Sequence, residues 1–309
     1  MKKLFFLFLI ALGSVKIMAQ QAPQFTQYMY NTMVINPAYA GSRGVFSIGA
    51  LYRSQWIGLD GAPTTQTLTI NTPASESVGL GFSIVNDEIG NGTNQNTYFD
   101  ATFSYTLTTS ETGNLSLGLK AGGHLLSLDF SKLINYGAES NLPNVDKKFS
   151  PNFGAGIYYH TNNFFAGFSV PNFLETKHFD NSDQSNSYLA KNRMNYYLIS
   201  GYVFDLNPTL KFRPTILFKA VTGAPVQVDL SAGFLFNDVF SVAAAYRLNA
   251  TASALAGFQV STNFMIGLSY DRETTSLGTT NFNDGSLEIF LRYDFVNRFN
   301  RRSFNKRFF

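Results

Sequence analysis

The ten residues from Ser286 to Phe295, Ser-Leu-Glu-Ile-Phe-Leu-Arg-Tyr-Asp-Phe, decide the fold because their polarity alternates with a period of two. Successive side chains of a β-strand point to opposite faces. One face of this stretch is therefore apolar and carries Leu287, Ile289, Leu291, Tyr293 and Phe295. The other face carries Ser286, Glu288, Phe290, Arg292 and Asp294. A single strand of this kind fits a soluble sandwich or a membrane barrel, so strand number, length and closure must distinguish the two.

The same alternation recurs in about fourteen segments, and most of them reach the roughly 9–11 residues that a tilted strand needs to cross a bilayer. We expect the strands to begin near Val45, Thr64, Val78, Asn96, Asn114, Pro151, Phe164, Asn192, Thr209, Val226, Val239, Thr251, Phe264 and Ser286. Tight turns alternate with long polar stretches, namely Asn86–Gln95, Asp129–Ser150, Pro171–Lys191 and Asp271–Asp284. This rhythm is typical of outer-membrane barrels.

The composition agrees with that interpretation. Charged residues make up 14% of the chain and aromatic residues 16%, whereas soluble domains carry about 25% charged residues. The mature chain has no run of ~20 apolar residues that could form a transmembrane helix. The sequence therefore predicts an all-β fold, a transmembrane outer-membrane β-barrel of about 14 antiparallel strands.

The start of the chain indicates export. Lys2 and Lys3 precede an apolar stretch from Leu4 to Leu12, and Ala19 is a small residue suited to cleavage. Residues 1–19 are therefore predicted to be a signal peptide, with a buried N-terminal helix as the alternative. Cysteine is absent, which excludes a disulfide framework, lipoprotein anchoring and thiolate metal sites. An even number of strands with short periplasmic turns places both termini in the periplasm.

The mature chain divides into three parts. Residues 20–43 lack strand alternation and are predicted to form an N-terminal arm or plug, and residues 44–295 form the barrel. Residues 296–309 form a basic aromatic periplasmic tail that includes Arg298, Arg301, Arg302, Lys306 and Arg307. The tail is either a solvated, disordered end or an electrostatic dock for an acidic periplasmic partner or anionic lipid.

Charged residues at the positions that alternate with the apolar residues of each strand are expected to face the lumen. They are Arg53, Asp100, Lys120, Lys211, Arg213, Lys219, Asp229, Arg247, Glu288, Arg292 and Asp294. Their mixed signs favour a hydrogen-bonded network that fills the lumen over a pore selective for one charge. A functional pore lining is the alternative.

Signatures of enzymes are absent, and we predict no catalytic, cofactor or metal site. The histidines His124, His160 and His178 are far apart and have no metal-ligand spacing. His124 or His160 could serve a Ser/His hydrolase, but nothing in the sequence places a serine and an orienting asparagine beside either one. We interpret both as polar residues near strand ends.

Several motifs resemble one family in order along the chain. Residues 25–31 read Phe-Thr-Gln-Tyr-Met-Tyr-Asn, and residues 35–41 read Ile-Asn-Pro-Ala-Tyr-Ala-Gly. Further matching stretches are Tyr52–Gly58, Asp60–Thr67, Ser169–Asn172, Gly223–Gln227, Leu235–Asp238 and Ser286–Ile289. Together they resemble the PorP/SprF family of outer-membrane proteins, which belongs to the type IX secretion system of Bacteroidetes. The resemblance covers nearly the whole mature chain.

The resemblance implies a non-enzymatic role in secretion and in surface anchoring of cargo such as gliding adhesins. The expected partners are outer-membrane lipid, periplasmic lipoproteins of the secretion machinery and the C-terminal domain of a cargo, and no nucleic acid. Candidate partner-binding residues are Phe25, Tyr28, Tyr30, Asn36, Pro37, Tyr39, Arg53 and Trp56, together with the basic residues of the tail. An outer-membrane channel for a small hydrophobic solute is the alternative function, followed by a hydrolase.

Overall fold

A computed structural model describes residues 23–132, 144–174, 193–280 and 283–296. In these ranges the chain is built almost entirely of antiparallel β-strands. The strands are β1 (Ser47–Ser54), β2 (Thr64–Pro73), β3 (Val78–Ile89), β4 (Asn94–Thr108), β5 (Asn114–Leu128), β6 (Val145–His160), β7 (Phe164–Val170), β8 (Asn195–Tyr202), β9 (Phe204–Asn207), β10 (Leu210–Val221), β11 (Gln227–Phe236), β12 (Phe240–Arg247), β13 (Thr251–Gln259), β14 (Phe264–Glu273) and β15 (Ser286–Asp294).

The sheet closes on itself. Strands β8 and β9 are separated only by Val203 and both pair with β10, so together they make one barrel strand. Strand β1 pairs with both β15 and β2, and β10 also pairs with β11. The result is a closed barrel of fourteen antiparallel strands, which confirms the predicted class and strand number. Closure leaves no sheet edge to face lipid, where unpaired backbone groups would find no water.

The barrel has apolar side chains outside and polar side chains inside. On β4 and β5 the outward Phe103 and Leu119 are 45% and 62% exposed, whereas the inward Ser104 and Ser116 are fully buried. The last strand follows its predicted faces, with Leu287 exposed and Glu288 buried. None of the helices in the described ranges is long and apolar enough to cross a membrane.

The two ends of the barrel differ. One end, called the turn end, holds the start of β1, the end of β15 and short connections such as the one between β6 and β7. The opposite, or loop end holds the long connections β5–β6, β7–β8 and β14–β15. The predicted alternation of turns and loops is therefore present.

Several predicted boundaries at the loop end are wrong, including the loop predicted from Asp271, because β14 runs to Glu273. The long loop predicted over Asn86–Gln95 is a connection of residues 90–93, because β3 runs to Ile89 and β4 starts at Asn94. Strand β6 starts at Val145 and not at Pro151, and its early residues pair with β5 through an irregularity near Lys147. The predicted start at Asn192 lies outside the described residues.

Residues 23–45, called the arm, lie inside the barrel. The arm contains a short helix, α1 (Thr32–Ile35), and a single 3₁₀ turn (Pro37–Tyr39). Its side chains Tyr28 and Ala38 are 2% and 0% exposed, and it contacts inward-facing residues of strands all around the wall. The lumen is thus packed with protein.

The arm runs from the loop end to the turn end before the chain enters β1. Gln24 contacts Gln227 and Arg247 at the loop ends of β11 and β12, while Gly41 donates to Asn71 near the turn end of β2. An even strand count places the start of β1 and the end of β15 at the same end. Pro23, the first described residue, lies at the loop end. The termini of the mature chain lie outside the described residues, so their predicted periplasmic location stays a prediction. The predicted signal peptide lies outside the described residues.

Candidate functional site

A buried ionic cluster near the loop end holds the start of the arm. The carboxylate of Glu288 accepts the backbone N–H groups of Thr26 and Gln27, at 3.0 and 2.8 Å. Arg53 donates from Nη1 to Asp271 at 2.6 Å and to Glu288 at 3.2 Å. All three charged side chains are nearly inaccessible to solvent. The wall therefore supplies hydrogen-bond acceptors and the arm supplies backbone donors that would otherwise be unsatisfied inside the lumen.

The hydroxyl of Thr26 joins the arm to the same cluster. It donates to Asp271 at 2.6 Å and accepts from Arg53 at 2.9 Å. Removing one member of a buried ion pair leaves the other charge uncompensated, at a cost of about 3–5 kcal/mol. The cluster consequently fixes both the position and the register of the arm.

A second cluster lies beside the first on β11 and β12. Arg247 donates from Nε to Asp229 at 3.0 Å and from Nη1 to the side-chain oxygen of Gln24 at 2.8 Å. It also reaches the carbonyl of Phe25 at 3.4 Å. One arginine thus connects the wall to the first residues of the arm.

A third cluster closes the arm at the turn end. Arg43 donates from Nε and Nη2 to the two carboxylate oxygens of Asp294, at 3.3 and 2.8 Å. The same carboxylate accepts from Ser47 at 2.7 Å and from Arg292 at 3.1 Å. The arm is therefore held by charged groups at both ends.

Between these clusters the arm packs against small inward-facing residues. Asn36 lies between Gly156 and Gly167 and donates to the carbonyl of Ile157 at 3.0 Å. A methyl group added at Gly118 would fall on the backbone of Ala38. Glycine is costly within an ordinary strand, and here it makes room for the arm.

Most of the charged residues predicted to face the lumen are buried, and their ion pairs form separate clusters. Asp100 and Lys120 form a buried pair at 2.7 Å. Arg213 and Lys219 are buried on the inward face of β10. Lys211 shares the inward parity of Arg213 on β10, and at the turn end its ammonium group pairs with the partly exposed Asp238 at 2.8 Å.

The candidate partner-binding residues are mostly enclosed. Phe25, Tyr28, Asn36, Pro37, Tyr39 and Arg53 are buried, and Tyr30 is half-buried and stacks on Phe290 with ring centres 5.5 Å apart. Trp56 lies at the rim of the loop end, where its indole nitrogen donates to Glu273 at 3.3 Å. Arg298, Arg301, Arg302, Lys306 and Arg307 lie outside the described residues. Partner binding by all of these residues stays a prediction.

Sequence reasoning missed two charged residues of the clusters, Arg43 and Asp271. Arg43 lies in the arm, where no periodicity shows which way a side chain points. The sequence predicts a loop from Asp271 onward, although Asp271 shares the parity of the inward-facing Ser269. A strand one residue longer than the predicted one includes it.

The histidines do not form an evident catalytic site. His124 contacts Asn96 at 2.9 Å and lies opposite Ser150 in the β5–β6 register. The fold therefore places a serine and an asparagine beside His124, which the sequence alone could not show. However, the buried hydroxyl of Ser150 makes no hydrogen bond, so the contact between a nucleophile and its base is missing. The described ranges hold no group of acidic or histidine residues suited to a metal ion.

The fold and the filled lumen define an outer-membrane β-barrel whose interior is occupied by its own N-terminal arm. Comparison with family models matches residues 17–293 to the type IX secretion system membrane protein PorP/SprF. The chain belongs to this family, which confirms the resemblance seen in the sequence motifs.

Solved structures show similarity of fold. A monoaromatic hydrocarbon channel, CymD, superimposes with a TM-score of 0.50 at 12% identity, covering 86% of this chain and 93% of that one. Omp33 of Acinetobacter baumannii gives 0.48 at 9% identity, with 81% and 98% covered. The P. putida toluene transporter TodX gives 0.48 at 9% identity, with 86% and 94% covered. The similarity to CymD indicates a shared barrel architecture and no more. No curated protein sequence matches the chain.

Proposed function

We propose that this protein is a non-enzymatic component of the type IX secretion system that supports export or surface anchoring of a cargo protein through the cargo's C-terminal domain. Family membership supports the secretion role. The observation that carries the rest is the filled lumen, in which charged clusters hold the arm at both ends. A barrel filled in this way suits a scaffold for partners better than a channel for a small hydrophobic solute.

We also propose an orientation. The turn end faces the periplasm, because short turns are periplasmic in outer-membrane barrels, and the signal peptide is removed before Gln20. Pro23 then lies toward the cell surface, whereas the end of β15 lies toward the periplasm. The basic tail would continue from β15 into the space where secretion lipoproteins reside, and its arginines and phenylalanines suit docking by charge and apolar contact.

A pull-down of the full-length protein in detergent tests the secretion role. We expect it to recover machinery lipoproteins, a very large surface protein, or both. A chain truncated after Val296 should form a normal heat-modifiable barrel but recover less of the lipoproteins. Recovery of the barrel alone, from cells that are actively secreting, would contradict the proposal.

The truncated chain also separates two roles of the tail. If it fails to accumulate in the outer membrane, the tail is an assembly signal and not a docking segment.

A protein tagged at Gln20 should be labelled on intact cells by an impermeant reagent if the proposed orientation is correct. A tag that reacts only after lysis would overturn it.

A further inference from the structure

The edge of β6 that faces β7 is paired over only part of its length. Strand β5 pairs with β6 from His160 to Val145, whereas β7 pairs with it only from His160 to Ala155. Strand β7 ends at Val170, while β6 extends beyond that level toward the loop end. The ring of strands is therefore closed up to Val170, and beyond it β6 presents an edge that β7 does not cover.

Pro171 explains why β7 stops. It has no backbone N–H to donate to a neighbouring strand, and its backbone lies over the inner face of β6, where a methyl group added at Gly154 would collide with its carbonyl oxygen. Asn152 holds this turn by donating to the same carbonyl at 3.4 Å. The chain thus leaves the wall toward the lumen, although the N–H of Phe173 still reaches the carbonyl of Phe153 at 2.8 Å.

Three residues of β6 carry the free hydrogen-bonding groups of this edge. Backbone groups of alternate residues point to the same neighbouring strand, so those of Phe149 and Pro151 share the direction of the Phe153 carbonyl. Among the described residues, the N–H and C=O of Phe149, the C=O of Pro151 and the N–H of Phe153 have no hydrogen-bond partner. Unpaired groups of this kind are a template for a further strand.

The side chains along this edge alternate between apolar and polar. Phe149 and Phe153 are 55% and 53% exposed on the outer face, and the Phe149 ring stacks on Phe99 with centres 6.2 Å apart. On the inner face Ser150 is buried, and its hydroxyl makes no hydrogen bond. Side chains directly opposite on paired strands lie about 4.5–5.5 Å apart. An added strand with apolar residues outside and hydroxyl residues inside would therefore match both faces.

Two features limit the length of the strand that fits. Pro151 supplies no donor, and the left-handed backbone of Lys147 lies where the ladder with β5 is interrupted. Prolines and bulges of this kind protect an edge against non-specific pairing. The edge therefore accepts one short segment opposite residues 149–153 and not an extended sheet.

We propose that a partner protein adds one short β-strand to this edge, and that apolar residues alternate with serine or threonine in that strand. Main-chain hydrogen bonds would supply the affinity and the alternating side chains the specificity, as in other cases of strand addition. The pairing itself is independent of the secretion role. The identity of the partner, the C-terminal domain of a cargo, rests on the proposed function.

Disulfide trapping on the full-length protein in detergent tests the pairing, because the chain has no cysteine of its own. The probe is the peptide Lys-Val-Thr-Cys-Thr-Val-Lys, added to Phe149→Cys and to the control Ile157→Cys. Ile157 is also outward and 47% exposed, but its edge is paired with β7. We expect the disulfide yield, normalised to the reaction of each thiol with a neutral maleimide, to be at least fivefold higher for Phe149→Cys.

The peptide itself provides the matched control. Its valine and cysteine residues would point their N–H groups toward β6, so N-methylation of these three residues should reduce the yield at least fivefold. N-methylation of the two threonines should leave the yield unchanged. The proposal is overturned if the two protein variants give equal yields, as they would if residues 175–192 of the same chain cover the edge. It is also overturned if the two methylated peptides give equal yields.

A proline variant connects the edge with the cargo. Phe149→Pro removes one free donor without removing a hydrogen bond of the ladder with β5, whereas Phe149→Leu keeps that donor. In the pull-down from secreting cells, we expect Phe149→Pro to recover at least tenfold less of the large surface protein and as much of the lipoproteins. Phe149→Leu should lose less than threefold. Heat-modifiability verifies that each variant is folded.

The outcomes separate strand addition from the secretion role. If Phe149→Pro recovers the surface protein as well as the unmodified chain does, the cargo is not held by strand addition, and the secretion role stands. If the unmodified chain recovers no partner, the secretion role fails, and the disulfide yields still decide whether the edge accepts a strand.

Discussion

Arg53 is the residue on which the contacts between the arm and the wall converge. Its guanidinium group joins Asp271 and Glu288 of the wall to Thr26 of the arm while being only 2% exposed. Replacing it with methionine keeps most of the volume but leaves two buried carboxylates without their cation. We expect Arg53→Met to reduce the free energy of unfolding by about 3–5 kcal/mol, measured by urea unfolding in lipid vesicles.

Lys211→Met provides the matched control. Its pair with Asp238 is partly exposed to solvent at the turn end, and exposed pairs contribute about 0–1 kcal/mol. Similar losses in the two variants would mean that the buried cluster does not stabilise the barrel as described.

Gly118 is the second residue whose role depends on the arm. A methyl group at this position would collide with the backbone of Ala38, which cannot move like a flexible side-chain end. We expect Gly118→Ala to push the arm away from β5 and to make it sensitive to added protease. Ala101→Val adds bulk on the lipid face instead, and should leave protease resistance unchanged. Equal resistance of both variants would contradict tight packing at Gly118.

For single residues, the sequence predicts well which face of a strand a side chain occupies. It predicts poorly which other residue that side chain contacts. Parity alone places Glu288, Asp294 and Lys120 in the lumen, because alternation follows directly from strand geometry. It cannot predict that Glu288 binds backbone groups of Thr26, since that contact joins residues 262 positions apart in the sequence.

The stability of the strands in the membrane depends on apolar side chains where their outer faces contact the hydrocarbon layer. Leu291 lies near the middle of β15 and is 39% exposed on the outer face, whereas Leu206 lies at the turn end of β9. We expect Leu291→Arg to cost ~2–4 kcal/mol and Leu206→Arg only ~0–1 kcal/mol, because the penalty falls from the midplane to the interface. The yield of heat-modifiable barrel after refolding into vesicles measures both. Equal losses would show that the depth assignment is wrong.

Strand boundaries are predictable within the hydrocarbon layer and less so beyond it. Seven of the predicted starts, including Thr64, Asn114 and Ser286, coincide with observed starts. The errors fall where β3, β4 and β6 extend at the loop end, at polar residues such as Asn94 and Gln95. A strand that leaves the lipid has water on its outer face, so it no longer needs alternating polarity and resembles a loop in the sequence.

The arm fills the lumen of the barrel as a whole, and a filled lumen predicts little ion conductance. Deleting residues 20–43 removes the side chains that fill the lumen of a fourteen-stranded barrel. We expect the intact protein to give little or no current in planar bilayers, and the deletion variant to give large single-channel steps. Large, steady steps from the intact protein would instead favour a transporter.

The existence of an arm can be predicted from the sequence, but its path cannot. Residues 20–43 stand out because they lack alternation, while their high aromatic content fits both a plug and a partner-binding segment. The position of residues 23–43 inside the lumen depends on glycines such as Gly118 and Gly156, which come from strands far along the chain. Such long-range complementarity leaves no local pattern.

The reversed path of the arm sets an order of events during assembly. The chain turns back at the turn end, so the arm and β1 lie side by side, and β15 joins β1 only when the last strand arrives. Threading about twenty aromatic-rich residues through a finished ring would be slow, whereas a ring that forms around them meets no such barrier. We therefore expect the ring of strands to close around the arm during assembly. A synthetic peptide of residues 20–43 should block the deletion variant when present during refolding, but not when added to the completed barrel. Equal block under both conditions would show that late insertion is possible.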